Sequence, residues 1–182
     1  ASHFMHNDSP YPVLFTFILL SGGESDLLRR TLASIKENAT LSHEVIILSE
    51  NEDAATHTDL VAFCHNNGLP APICRAEFPH DHLVQKSIER AQGEFIWFLH
   101  AGSTLFPRAV SRLHIALNGH IAAYGQTYQL DTVEHPITGE IWPKPKFTRT
   151  ARILTDLLNG ESPLMIGNHC IRATTLEGMQ LP

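Results

Sequence analysis

Four apolar runs, each followed by a polar break and a stretch of helical spacing, set the rhythm of the first two thirds of the chain. Residues 13–20 (VLFTFILL) are continuously apolar and β-rich, which predicts a strand covered on both faces. Ser21-Gly22-Gly23 breaks the run, and Ser25 or Asp26 is then expected to cap a helix that turns Leu27, Leu28, Thr31, Leu32 and Ile35 inward. Residues 44–49 (EVIILS) predict a second buried strand, ending in the polar stretch Glu50-Asn51-Glu52-Asp53. A helix over 56–67 follows, with Leu60, Val61 and Cys64 inward and Gly68 as its stop. Residues 73–76 predict a short third strand, 81–91 a third helix stopped near Gly93, and 94–99 a fourth strand. Pro107 opens a fourth helix through Leu117.

Strands alternating with helices over short connections predict an α/β domain with a mostly parallel sheet. Ligands bind such sheets beyond the carboxyl ends of the strands. Ser21-Gly22-Gly23, Glu50 to Asp53 and His100 to Ser103 are therefore expected along one rim, as a candidate cleft. After Asn118 the pattern changes. It predicts a strand at 121–130, a hairpin connection at 136–139, the start of another strand at 140–142 and a Pro-rich loop at 142–146. A helix at 150–159, ended by Gly160, and a last apolar strand at 164–171 complete the chain. The layout suits a nucleotide-binding front and a substrate-facing back.

Composition narrows the function classes. A chain of 182 residues suits one domain and can bury a core without staples. A net charge of -6, with no Lys/Arg cluster, argues against a nucleic-acid surface. The 3 cysteines follow no metal or redox spacing and read as reduced core thiols of a cytosolic protein. No run is long enough to span a membrane, and no basic segment precedes the first run, so it is not read as a signal peptide. The opening ASHFM has the look of an expression remnant around Met5. Residues 1–11 are accordingly read as a tag or disordered N-terminus, and 12–182 as the domain.

Three segments carry a resemblance: LLRRTLASI at 27–35, EVIILSE at 44–50 and AQGEFIWFL at 91–99, with Pro107 beyond the last. Over residues 12–181 the chain resembles a family 2 glycosyltransferase, one of the inverting nucleotide-diphospho-sugar transferases of the GT-A fold. The resemblance implies a single GT-A-like, Rossmann-like α/β domain, three-layer α/β/α around a central mixed, mostly parallel sheet. It implies transfer of a sugar from a nucleotide-diphosphate donor to an acceptor hydroxyl with inversion. Implied partners are the donor, a glycan or lipid-linked acceptor in polysaccharide biosynthesis, and further domains of the same polypeptide. The implied location is cytoplasmic or peripheral at the inner face of a membrane.

The departures from the family share a direction. Where the family has Asp-x-Asp after the fourth strand, this chain has His100 and Gly102. Those acids hold Mg²⁺ or Mn²⁺ against the diphosphate, and glycine offers no ligand while imidazole alone is a poor one. No metal ligand is assigned; a divalent cation binds here only if His100 and further groups replace the lost acids. Of the family's two acids after the second strand only Glu50 is kept, and the donor-site Asn and Gly before the fourth strand are Gln85 and Ser87. The nucleotide-sugar site implied by the resemblance is thus Ser21, Gly22, Glu50, Gln85, His100 and Gly102. The family's catalytic carboxylate lies beyond a segment like Leu176-Glu177-Gly178-Met179. The chain stops at Pro182, so the domain is read as cut before its base, with no catalytic residue assigned beyond His100 as a candidate.

Each candidate has a plainer reading. His100 is a surrogate ligand, a diphosphate contact or a proton donor, or a strand-end histidine with satisfied hydrogen bonds. Glu50 contacts a base or ribose, or is one more exposed acid. The Ser21-Gly22-Gly23 turn brings N–H groups to phosphates, or is only a strand-to-helix connection. His80-Asp81-His82 reads as a solvated helix start rather than a Zn²⁺ site, and Trp142 as a packing residue rather than a sugar platform. Two function classes remain: a glycosyltransferase, metal-dependent or not, and a non-catalytic GT-A-like module binding a nucleotide, a glycan or a neighbouring domain.

Overall fold

The apolar runs of the sequence form the middle of a six-stranded sheet with the order β3-β2-β1-β4-β6-β5. The computed structural model describes residues 9–75, 77, 83–119, 122–124 and 169–176. The expected hairpin at 136–139, the strand at 140–142, the helix at 150–159, Trp142 and His80-Asp81-His82 lie outside them. The strands are β1 (Val13–Ser21), β2 (His43–Ser49), β3 (Ile73–Cys74), β4 (Gly93–His100), β5 (Ala122–Tyr124) and β6 (His169–Arg172). The described helices are α1 (Ser25–Asn38), α2 (Ala54–Asn66), α3 (Leu83–Arg90), α4 (Ala109–Ala116) and the single turn α5 (Ala173–Leu176).

β1 pairs in parallel with β2 and β4, and β2 with β3, whereas β6 is antiparallel to both β4 and β5. The sheet is mixed and mostly parallel, as expected. Position in this order explains the sequence pattern. β1, β2 and β4 each have a strand on both sides and helices on both faces, so their middles are buried and, apart from Thr16, apolar. Alternation along each strand sorts the core into two layers. Phe15, Phe17, Leu19, Ile47 and Trp97 pack with Leu28 and Ile35 of α1, Leu60 and Phe63 of α2, and Val110 and Leu113 of α4. Ile18, Ile46, Leu48, Ile96 and Phe98 pack on the other face with Leu83 of α3 and Leu176 of α5. The result is the three-layer α/β/α arrangement.

One polar knot ties the three central strands at the end opposite their carboxyl tips. Glu44 Oε1 accepts from Thr16 Oγ1 at 2.7 Å and from Gln92 N at 2.6 Å, and Thr16 Oγ1 accepts from Gly93 N at 2.9 Å. Gly93, expected to stop a helix, is instead the first residue of β4. A Cβ there would lie 2.5 Å from Thr16 N and 2.7 Å from the Phe15 carbonyl carbon, so the close approach of β1 and β4 requires glycine.

Other boundaries shift for local reasons. α1 is capped by Glu24, whose extended backbone precedes the helix without a side-chain bond, so Ser25 and Asp26 already belong to the helix. Leu27 is not inward but 39% exposed. In α2, Val61 is 42% exposed and Phe63 is buried in its place. α4 begins after Arg108, whose left-handed backbone (φ 64°) closes a turn first, so Pro107 does not open the helix. All three cysteines are buried and unbridged. Burial pushes the Cys64 and Cys74 thiols up to about 11 and holds Cys170 well above the ordinary thiol range, so they are neutral core groups. Among the described residues no helix is long and apolar enough to cross a membrane.

Candidate functional site

The carboxyl ends of β1, β2, β3 and β4 lie side by side, with Ser21 opposite Ser49 and Leu20 opposite His100. The first two loops are built alike. Buried Ser21 accepts from Gly23 N at 2.9 Å through its hydroxyl, and buried Ser49 from Asn51 N at 3.2 Å, each folding the chain back over its own strand end. Asn51 then joins the loops: its Nδ2 donates to the Gly22 carbonyl at 3.0 Å, and its Oδ1 accepts from Asp53 N at 2.8 Å. Gly23 has φ +109°, and a Cβ there would collide with the Thr56 methyl at the start of α2.

Asp53 caps α2, accepting from Thr56 N and Thr56 Oγ1, both at 2.9 Å. These bonds hold its carboxyl below the usual value of 3.8, because they favour the ionised form. A depressed acid stabilises the fold fully above its unfolded pKa, and the contribution disappears as pH falls through the folded value. Asp53→Asn should therefore flatten the loss of stability below pH 3.8, with little change in slope at neutral pH. Urea midpoints measured across the acid range check this.

The loop after β4 is anchored to α1. Ala101 N donates to the Leu20 carbonyl at 2.8 Å, and Ser103 N to the His100 carbonyl at 3.0 Å. Gly102 N is shared between the Leu27 carbonyl (3.1 Å) and Thr31 Oγ1 (2.9 Å), and Thr31 Oγ1 donates to the Ser103 carbonyl at 2.8 Å. Ser34 Oγ accepts from Leu105 N at 2.6 Å, and Asn38 Nδ2 donates to the Leu105 carbonyl at 3.2 Å. Gly102 has φ +94°, and a Cβ there would press on Leu27 Cδ2 at 3.2 Å.

These contacts place the expected site residues. Ser21 and Gly22 stand at the end of β1, Glu50 directly beyond β2, and His100 and Gly102 at the tip of β4. Glu50 and His100 are exposed, and neither side chain hydrogen-bonds a described residue. Gln85 sits half-buried in the first turn of α3 with its Nε2 3.3 Å from Glu89 Oε1. Ser87 is buried and donates to the Val84 carbonyl at 2.7 Å. Sequence reasoning missed Asn51, Thr31, Ser34 and Asn38 as builders of the rim. Their signal is faint: the three α1 residues fall on one helix face at intervals of three and four, like core positions. Arg75 after β3 adds a cation, held 2.8 Å from Glu52.

The resemblance to family 2 glycosyltransferases implies a divalent metal at the tip of β4, and the residues there do not fit one. Of the two acid positions, one carries an imidazole. The other has no side chain, and its N–H is turned into α1. Mg²⁺ and Mn²⁺ need several hard oxygen donors in a fixed array. Among the described residues no group of three or more His, Cys, Asp or Glu is placed to hold a metal.

No family model matches the sequence, and no curated protein matches it. Solved structures do. S. aureus TarS 1-349 in complex with UDP-GlcNAc is 13% identical with a TM-score of 0.56, over 90% of this chain and 46% of that one. The S. aureus TarS 1-349 structure without that ligand is 13% identical with a TM-score of 0.55, over 90% of this chain and 48% of that one. The mannosyltransferase PcManGT from Pyrobaculum calidifontis, in complex with GDP-Man and Mn²⁺, is 15% identical with a TM-score of 0.46, over 60% of this chain and 36% of that one. This chain thus spans 46–48% of the length of these two TarS 1-349 structures.

Proposed function

Since the chain has the fold of the GT-A glycosyltransferases, we propose that it is the donor-binding part of an inverting glycosyltransferase that works without a metal at the tip of β4. The observation that carries this reading is the rim itself. At the ends of β2 and β4, on either side of β1, Glu50 and His100 are exposed and bonded to no described residue. Around them, the N–H groups of Gly23, Asn51, Ala101, Gly102 and Ser103 are all engaged within the protein.

The two side chains suit two parts of one ligand. A carboxylate only accepts hydrogen bonds, which matches ribose hydroxyls or a base N–H and repels phosphate. An imidazole N–H donates, which matches a diphosphate oxygen and the charge that grows there as the sugar leaves. In the reaction an acceptor hydroxyl oxygen attacks the sugar's anomeric carbon from the face opposite the diphosphate. The bond to the diphosphate breaks with its electron pair, and the acceptor proton passes to a base. None of the described residues is assigned as that base, and the acceptor side belongs to the rest of the molecule. Such a chain works as one part of a larger polypeptide at the cytoplasmic side, acting on a glycan or lipid-linked acceptor.

Calorimetric titration with UDP and GDP, each with and without Mn²⁺, tests the reading. Binding of one nucleotide at an affinity indifferent to Mn²⁺ is expected. His100→Ala should weaken it about tenfold, the worth of one hydrogen bond to a charged group. Binding seen only with Mn²⁺ would contradict the metal-free site. If neither nucleotide binds, the transferase reading gives way to a GT-A-like interaction module.

A further inference from the structure

α1 meets the β4–α4 loop through polar side chains where packing alone would call for apolar ones. Thr31 and Ser34 are buried, with relative exposures of 0% and 7%. Together with Asn38 they occupy one face of α1 at intervals of three and four residues. Their partners run along the loop in the same direction: Gly102 and Ser103 on Thr31, Leu105 on Ser34 and Asn38. The ladder leaves none of its hydroxyls idle. Thr31 Oγ1 accepts from Gly102 N and donates its one proton to the Ser103 carbonyl.

We propose that the Thr31–Ser34–Asn38 ladder is a positioning element that fixes the β4 tip, and through it the His100 imidazole, in the conformation that receives the nucleotide diphosphate. The proposal rests on the donor-binding reading above. His100 has no side-chain bond of its own among the described residues, so its place is set by its backbone. That backbone is closed by the turn from Ser103 N to the His100 carbonyl, and the turn is held by Thr31 on the Ser103 carbonyl. Gly102 contributes the left-handed residue (φ +94°) that lets the chain fold back onto α1 at this point. Without Thr31 Oγ1, Gly102 N keeps the Leu27 carbonyl, while the Ser103 carbonyl loses its buried donor. The turn at Gly102 and Ser103 is then held less firmly against α1, while Leu105 keeps Ser34 and Asn38 and the strands stay paired.

The test uses Thr31→Val, which keeps the shape of the side chain and removes the hydroxyl, against Thr31→Ser, which restores it. Amide exchange followed by NMR should speed up at Gly102 and Ser103 in Thr31→Val, with Phe17, Ile47 and Phe98 unchanged. UDP or GDP affinity should fall about tenfold in Thr31→Val and return to within about twofold of wild type in Thr31→Ser. Ser34→Ala, which removes a single acceptor from the same ladder, gives the same pattern at Leu105 if Thr31→Val fails to fold. Unchanged loop exchange in a folded Thr31→Val protein overturns the ladder. Faster loop exchange with unchanged affinity overturns its link to the ligand. If the wild-type protein binds no nucleotide, the donor-binding reading falls and with it the link to the ligand, while loop exchange still decides whether the ladder holds the β4 tip.

Discussion

Gly93→Ala is expected to cost about 3 kcal/mol or more of folding stability. The new methyl carbon would lie 2.5 Å from Thr16 N and 2.7 Å from both the Phe15 carbonyl carbon and Thr16 Oγ1. Backbone atoms cannot step aside as a flexible side-chain end can. β1 and β4 must part at this point, breaking the Gly93 N to Thr16 Oγ1 bond and loosening Thr16 from Glu44. Gly68→Ala is the control, because that site has a left-handed backbone (φ +67°) with open space around it. It should cost only about 1 kcal/mol, the strain of the backbone alone. Urea unfolding of the two variants separates the effects. A Gly93→Ala protein within about 1 kcal/mol of wild type would mean that the β1–β4 register is wrong.

Gly102→Asp supplies the acid that the resemblance implies at this position, and it should not create a metal site. A non-glycine residue at φ +94° carries strain of about 1–3 kcal/mol, and its Cβ meets Leu27 Cδ2 at 3.2 Å. The aspartate is expected to lower stability by about 2 kcal/mol. Mn²⁺ affinity for the nucleotide-free protein should stay as weak as in wild type. Gly102→Ala carries the same backbone strain without the carboxylate and separates the two effects. A stable Gly102→Asp protein that gains Mn²⁺-dependent nucleotide binding would show that the loop can adopt the acidic geometry after all. The glycine would then be a dispensable loss and not a requirement of the loop.

What the chain discloses before folding depends on how local the cause is. β1, β2 and β4 announce themselves because burial on both faces leaves an unbroken apolar run, and their tips then define the rim by a general property of parallel sheets. The inward face of α2 was harder to read. Leu60, Val61, Phe63 and Cys64 are all apolar and cannot share one face, so only packing decides that Phe63 enters and Val61 stays out. The left-handed residue before α4 was hidden for a similar reason: nothing about Arg108 demands φ 64°, and the turn from Phe106 imposes it.

At the site the limit is of another kind. His100, Glu50 and Gly102 were legible because a resemblance marks their positions. Thr31 looked like one more inward residue of α1, since its polar partners lie 71 and 72 residues further along the chain. A similar distance in sequence, 77 residues to Thr16, separated Gly93 from its reason. A glycine between a helix and a strand reads as a stop until the facing strand is known. A resemblance can say that two acids are missing from this rim. Only the positive φ of Gly102 explains why an acid would be strained there.

The strand order has a consequence for how the chain must assemble. β1 lies between β2 and β4, and the tie between Thr16 and Glu44 spans 28 residues, whereas that between Gly93 and Thr16 spans 77. Non-local pairings of this kind form slowly compared with neighbouring ones. Until β4 arrives, one edge of β1 stands open along the run from Val13 to Ser21, an apolar strand edge of the sort that recruits other chains. Residues 93–100 are thus a guard for β1 as well as its partner, and any shortened version of the chain that ends before Gly93 leaves its most adhesive strand uncovered.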